Sequence, residues 1–285
     1  MQQTQVAHPA AMANETNVFR LPVDAESIRF NDWTISYEKS HILKSMCHLG
    51  SDKCCDKNDA NRCELCNYQH SLELPHLPDM VFHKNKLVLQ HKDGALMEFK
   101  PMDALALVAN GKQAEEMEVA CAQEWRETRA EQNMEQKYKP FDWTFTSTYQ
   151  GTLNDKFRTE STTQSLNKMK LMQRENILFY HDLTLYEDEL HDHGISALSV
   201  RIRVMPSGFF VLLRHFLRID DVLIRMHDTR YHCEIENDYI LKEYIHREAP
   251  CSALLQSPSS LWTNPDEIQN FLPVKSKELH KLFFE

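Results

Sequence analysis

The stretch Tyr186–Arg230, YEDELHDHGISALSVRIRVMPSGFFVLLRHFLRIDDVLIRMHDTR, constrains the fold more than any other part of the chain. From Leu198 to Val204 the residues alternate: Leu198, Val200, Ile202 and Val204 fall on one side, Ser199, Arg201 and Arg203 on the other. Successive side chains of a strand point to opposite faces, so this period of two is that of a half-buried strand. Met205-Pro206-Ser207-Gly208 reads as a turn. Phe209–Ile219 is a second strand. Phe209, Val211, Leu213, Leu217 and Ile219 take one face, and Arg214 and Arg218 the other, beside Phe210, Leu212 and Phe216. Asp220-Asp221 turns the chain into a third strand, Val222–Met226. Strands joined this closely form an antiparallel meander. One face is apolar enough for a core. The other carries Arg201, Arg203, Arg214, Arg218 and, as a further member, Arg225. Such a face is either solvated or a docking surface for a carboxylate-bearing peptide, because a guanidinium grips carboxylates with a two-pronged fork.

Bulk composition narrows the function classes. The 285 residues, 42% of them hydrophobic, suffice for a sizeable core in one large or two small domains. Only 6 glycines are available for phosphate-cradling loops, and neither GxGxxG nor a P-loop occurs. The formal net charge of −10 argues against a nucleic-acid partner. No run reaches the ~18 apolar residues of a membrane span, so no membrane partner is expected. Residues 1–22 lack a basic start and an apolar stretch and read as a disordered tail, followed by one domain over 23–285. The 8 cysteines fit a reducing compartment, as free thiols or metal ligands.

Along the chain, Ile28–Tyr37 reads as a first strand with Trp33, Ile35 and Tyr37 on one face. Leu74–Pro78 reads as an extended linker, and Lys86–Gln90 with Ala95–Lys100 as a hairpin around Asp93-Gly94. Pro101 opens a helix carrying Ala104, Leu105, Leu107 and Val108, and a second helix is expected over Ala114–Arg129. A strand at Trp143 is followed by polar turns over Gly151–Thr163, and Thr163 caps a helix containing Leu166, Met169, Lys170, Gln173 and Ile177. Phe179–Leu185 and Asp238–His246 read as strands. Asn264-Pro265-Asp266-Glu267 has the capping residue, proline and acids of a helix start, anchored by Phe271 and Leu272, and Lys277–Phe284 reads as a final helix.

Two clusters offer chemistry. In CHLGSDKCCDKNDANRCELC, Cys47–Cys66, Cys63 and Cys66 have the CxxC spacing that places two thiolates on one zinc. Cys54 with Cys63 and Cys66 are the leading metal candidates, and Cys47, Cys55, His48 and His70 offer further ligands. A polar loop without a core would gain its folding energy from the metal, so structural zinc is the one cofactor considered; the alternative is a surface insertion with incidental thiols. Glu187–His193, with His191 and His193, could bind a divalent metal or exchange protons, but no HExxH is present and an acidic loop closing a hairpin explains the residues as well.

The central run closely resembles the TIPRL family, regulators in TOR signalling that bind type 2A protein phosphatases. The resemblance extends to Lys139–Thr144 with Tyr149–Thr152, to Leu77–Phe82, to Ala120–Trp125 and to Ser259–Pro265, and covers about Ile28–Phe284. Two departures stand out. Cys47–Cys66 lies where the family has a shorter, cysteine-poor segment, so no zinc is carried over, and Asp221 stands where Gly is common.

The resemblance implies a single α+β domain of layered antiparallel sheets with surrounding helices. It implies a non-enzymatic protein of the cytosol, with the nucleus as a further compartment, whose partners are the catalytic subunits of type 2A-like serine/threonine phosphatases. Binding near the active site and carboxy-terminal tail holds the subunit inactive. The family's binding positions match Asp103, Leu166, Met226 and Asp228; Arg230, beside them, is added on chemistry. Met226 and Leu166 would give adaptable apolar contact, and the two aspartates would pair with basic groups or accept hydrogen bonds. On this reading Asp228→Asn with Met226→Ala weakens capture and leaves the melting curve unchanged. The competing readings are a zinc-binding protein or metal-dependent enzyme using the Cys47–Cys66 loop or the His191/His193 cluster, and an assembly chaperone that prefers the metal-free phosphatase subunit.

Overall fold

The alternating stretch does form strands, and they are longer than the sequence suggests. The computed structural model describes residues 24–50, 54–74, 76–108, 143–254 and 258–284. Its first strands are β1 (Asp24–Phe30), β2 (Trp33–Lys39), β3 (Met80–Val81), β4 (Lys86–His91), β5 (Leu96–Phe99), β6 (Thr152–Leu153) and β7 (Phe157–Ser161). The later ones are β8 (Phe179–Asp188), β9 (Gly194–Met205), β10 (Gly208–Ile219), β11 (Leu223–Glu234), β12 (Tyr239–Pro250) and β13 (Val274–Phe284). The helices among the described residues are short: α1 (Glu64–Leu72), α2 (Pro101–Leu105), α3 (Lys168–Leu171) and α4 (Pro265–Ile268).

The strands pair into two antiparallel sheets, one of five strands ordered β1-β2-β4-β5-β6 and one of eight ordered β3-β8-β9-β10-β11-β12-β13-β7. They pack face to face. Ile35, Leu87, Leu89, Met97 and Phe99 from the smaller sheet meet Val200, Ile202, Phe209, Val211 and Tyr231 from the larger. Trp33 sits edge-on to Phe209 at 5.4 Å and to Phe284 at 5.2 Å, tying both sheets to the last strand. The architecture is therefore the expected α+β fold of layered antiparallel sheets, and the helices among the described residues are shorter than expected.

On the larger sheet the parity read from the sequence holds. Even-numbered residues of β9 and odd-numbered residues of β10 and β11 face the inter-sheet core. Phe216, Ile224 and Met226 face outward, into a second cluster with Ile268 and Leu272 of the connection that crosses this outer face. The third strand runs to Glu234, well beyond Met226. Asp221, in the turn before it, adopts the left-handed φ of 60° that a glycine would take without strain.

Several local expectations are corrected. Ile28–Tyr37 is the hairpin β1–β2, because Asn31 with φ 51° reverses the chain. Trp143 begins a turn, and Phe145 at φ 51° is incompatible with a strand there. Gly151–Thr163 holds β6 and the edge strand β7. α2 ends at Leu105, short of the exposed Leu107. The helix expected from Thr163 shrinks to α3, capped by Asn167, whose side chain accepts from the Lys170 N–H. α4 starts as expected, on Asn264 and Pro265; Leu272 anchors it while Phe271 is exposed. Lys277–Phe284 belongs to β13: Leu279, Leu282 and Phe283 match a helical period, but β12 and β7 supply ladder partners on both sides. The tail and the helix over Ala114–Arg129 lie outside the described residues.

Candidate functional site

Outward-facing residues of β9–β12 build a charged layer. Asp228, at 0% exposure, is its centre. Arg214 holds it with both prongs, Nε to Oδ1 at 2.7 Å and Nη2 to Oδ2 at 3.0 Å, and Arg230 Nη2 donates to Oδ2 at 2.8 Å. Burial alone would raise this carboxyl, but Arg214 and Arg230 outweigh it and hold it below the ordinary carboxylate range. Arg214 also reaches Asp266 in the first turn of α4, as does Arg201, whose Nε pairs with Asp182 at 2.7 Å. Gln269 Oε1 accepts from Arg214 and Arg230. Arg230 lies 3.9 Å from Glu243, which Lys277 approaches to 3.0 Å.

This arrangement decides the two readings of the arginine face. Arg201, Arg214 and Arg218 each pair with a carboxylate of this chain, and Arg203 Nη2 donates to Leu171 O at 3.0 Å. Arg225 is on the opposite face and pairs with Glu248. The face is a neutralised layer that pins α4 to the sheet, not a row of open forks. Asp266 and Gln269 were missed in the sequence, where Asp266 reads as helix-start chemistry alone.

The resemblance-derived residues fall in three places. Met226 and Asp228 share the outward face of β11 with Arg230, but Met226, also at 0% exposure, lies beneath the α4 connection. Both side chains therefore lie below the surface, where replacing them is expected to disturb packing and lower the melt, against the expectation of an unchanged one. Leu166 is buried and starts a connection that runs past Lys170, paired with Glu234 at the end of β11, to Glu175, which accepts from Ser207 Oγ at 2.6 Å. Asp103 belongs to the smaller sheet's side. It accepts from Thr152 Oγ1 at 2.6 Å, and Lys100 Nζ lies 3.5 Å away. The segment Tyr149–Thr152 spans the layers, since Gln150 O accepts from the Tyr231 hydroxyl next to Arg230.

Above Leu166 the same connection is unusually apolar at its surface. Met169 and Met172 are 75% and 77% exposed, and Ile177, Leu178 and Tyr180 are also exposed. A groove of about 460 Å³ between this connection and the sheet is lined by Leu171, Met172, Ile177, Arg203 and Met205. Arg203 Nε is buried and has no hydrogen-bond partner among the described residues.

The catalytic alternatives find less support. His191, Asp192 and His193 are exposed in the β8–β9 turn, and among the described residues they are not part of any grouped set of potential metal ligands. Asp188 beside them is structural, accepting the backbone N–H groups of Leu190 and Asp79. In the cysteine loop, Cys47, His48, Cys55 and Cys63 place their ligand atoms within 4.8 Å of one another. Of the candidates read from the sequence, Cys63 belongs to this set, whereas Cys54 and Cys66 pair with each other at 3.2 Å.

The model of the TIP41-like family matches residues 80–255. The chain belongs to this family. A TIP41-like protein of Homo sapiens is 44% identical over 259 residues, covering 90% of this chain and 88% of that protein. The Type 2A phosphatase activator TIP41 of Saccharomyces cerevisiae is 35% identical over 240 residues, covering 77% of this chain and 62% of that protein. A protein of the same description from Schizosaccharomyces pombe is 30% identical over 235 residues, covering 81% and 85%. The TIP41-like span includes Asp103, Leu166, Met226, Asp228 and Arg230, whereas the cysteine loop precedes it. No helix among the described residues is long and apolar enough to cross a membrane.

Proposed function

We propose that this chain is a regulatory protein that binds the catalytic subunits of type 2A-like serine/threonine phosphatases, acts in TOR signalling in the cytosol, and performs no catalysis of its own. Family membership and the names of the yeast relatives support the partner class. The observation that carries the surface is the set of exposed apolar side chains Met169, Met172, Ile177, Leu178 and Tyr180 beside Arg203, close to Leu166. Methionine-rich exposed patches suit protein–protein contact, because thioether side chains adapt to a partner's shape. Asp228 and Met226 hold the α4 connection to the same outer face, Arg230 adds a charge beside them, and Asp103 anchors the Tyr149–Thr152 segment. Binding over the phosphatase active site would slow its turnover; the names of the yeast relatives carry the opposite sign, activation.

Retention of a purified catalytic subunit on the immobilised chain, followed by turnover of a phosphopeptide, tests both parts. Retention with slowed turnover is expected, and retention with faster turnover would reverse the sign. Met172→Glu with Ile177→Glu should weaken retention by about 30-fold or more, the loss of a hot spot, with an unchanged melting curve. Failure to retain any type 2A-like subunit would refute the proposal.

A further inference from the structure

The geometry points to a structural zinc site formed by Cys47, His48, Cys55 and Cys63. A turn closed by Gly50 N–H to Cys47 O at 3.1 Å brings Cys47 and His48 together, and Cys63 stands at the N-cap of the nine-residue α1. From Cys55 Sγ, the Cys47 and Cys63 sulfurs are 3.6 and 3.9 Å away and His48 Nδ1 is 3.7 Å away. Four ligands tetrahedrally placed about 2.3 Å from one zinc have a sulfur–sulfur edge of about 3.8 Å. The spacing is that of zinc ligands, and far too long for a disulfide of about 2.05 Å.

Backbone contacts brace the ligand sulfurs. Backbone N–H groups of Leu49 and Cys63 donate to Cys47 Sγ and Cys55 Sγ at 3.4 and 3.5 Å. His70 Nε2 lies 2.9 Å from Cys55 O and fixes the strip that carries this ligand. Such outer contacts orient ligands and tune their basicity. Among the described residues the buried cluster here consists of Cys47, Cys55 and Cys66, with Cys63 against it, and includes no aliphatic or aromatic side chain. A loop whose interior is sulfur alone lacks the hydrophobic burial that normally orders a chain, and a metal bond supplies that free energy. Three thiolates and one imidazole close the tetrahedron, so no position remains for a substrate, and this soft ligand set selects zinc over magnesium or calcium. The loop lies outside the residues matched by the family model, which makes the site a staple of this chain, independent of the phosphatase surface.

The test uses the full chain, purified and reconstituted with zinc under a non-thiol reductant. Elemental analysis should find about one zinc per chain in the unsubstituted protein and in Cys54→Ser, and well below one in Cys55→Ser and Cys63→Ser. Cobalt in place of zinc should give the intense visible bands of a tetrahedral thiolate complex; this measurement on the unsubstituted chain decides the matter if the serine variants fail to fold. Zinc well below one per chain, a weak octahedral cobalt spectrum, or equal loss in Cys54→Ser would overturn the assignment. Retention of the phosphatase is a separate readout, so either proposal can fail while the other stands.

Discussion

Asp228 is the residue whose environment most changes its reading. Its carboxylate has no exposure and three arginine partners, Arg214, Arg230 and, at 3.8 Å, Arg247, so Asp228→Asn leaves Arg214 buried and half-paired. Breaking a buried pair from one side costs about 3–5 kcal/mol, and thermal denaturation should show a loss of that order. A capture defect in this variant therefore has to be normalised to the folded fraction. The histidines give a second expectation. His227 faces His246, His215, Arg225, Tyr244 and Glu248, and burial followed by the cationic form of His246 and by Arg225 pushes it down to about 4. His215 is pushed well below its ordinary value, chiefly by burial. In the unfolded chain these groups titrate near ~6.5. The unfolded state therefore binds more protons at lower pH, and stability is full above about 6.5 and declines as pH falls toward 4, by on the order of 3 kcal/mol for His227, with His215 adding a loss in the same direction. Urea unfolding across this range should show the decline, and His227→Gln should reduce its slope. An unchanged slope would remove His227 from the account.

At the scale of elements, strand register depends on close approaches that the hydrophobic pattern does not reveal. A Cβ on Gly208 would lie 2.0 Å from the carbonyl oxygen of Cys233 on the paired strand, and one on Gly194 would lie 2.0 Å from that of Arg218. Backbone atoms cannot yield as a flexible side chain can. Gly208→Ala should therefore cost at least about 2 kcal/mol by disrupting β10–β11 pairing, measurable as faster amide exchange in both strands. α4 is fixed by a cap and by charge together: Asn264 accepts from the Asp266 N–H, while the Asp266 carboxylate turns to Arg201 and Arg214. Asn264→Ala should lower stability by about 1 kcal/mol. The alternation along β9 was readable because one face is apolar and the other carries Ser199, Arg201 and Arg203. β13 was not, because its first five residues are all exposed and only Leu282 is fully inside.

The whole molecule depends on its last strand. β13 separates β12 from β7 and carries Phe284 to Trp33 in the inter-sheet core. Removing Val274–Phe284 would expose the long β12 edge and part of that core. The truncated chain should aggregate in size-exclusion chromatography where the intact chain does not, since an unpaired edge templates association.

Residue order alone determined the central meander, the parity of its core residues, the Asp93-Gly94 hairpin and the start of α4, because each follows from a local period or a local turn preference. The resemblance carried by Tyr186–Arg230 also pointed to the family. Tertiary structure decided which of two local options each remaining segment took. It made Lys277–Phe284 a strand between two others and turned an arginine face into a self-neutralised layer. It also gathered Cys47, His48, Cys55 and Cys63 within reach of one another, with Cys54 against Cys66. The reason is physical: backbone ladders, buried ion pairs and ligand tetrahedra are completed by groups distant along the chain, and a local pattern does not specify which distant group arrives.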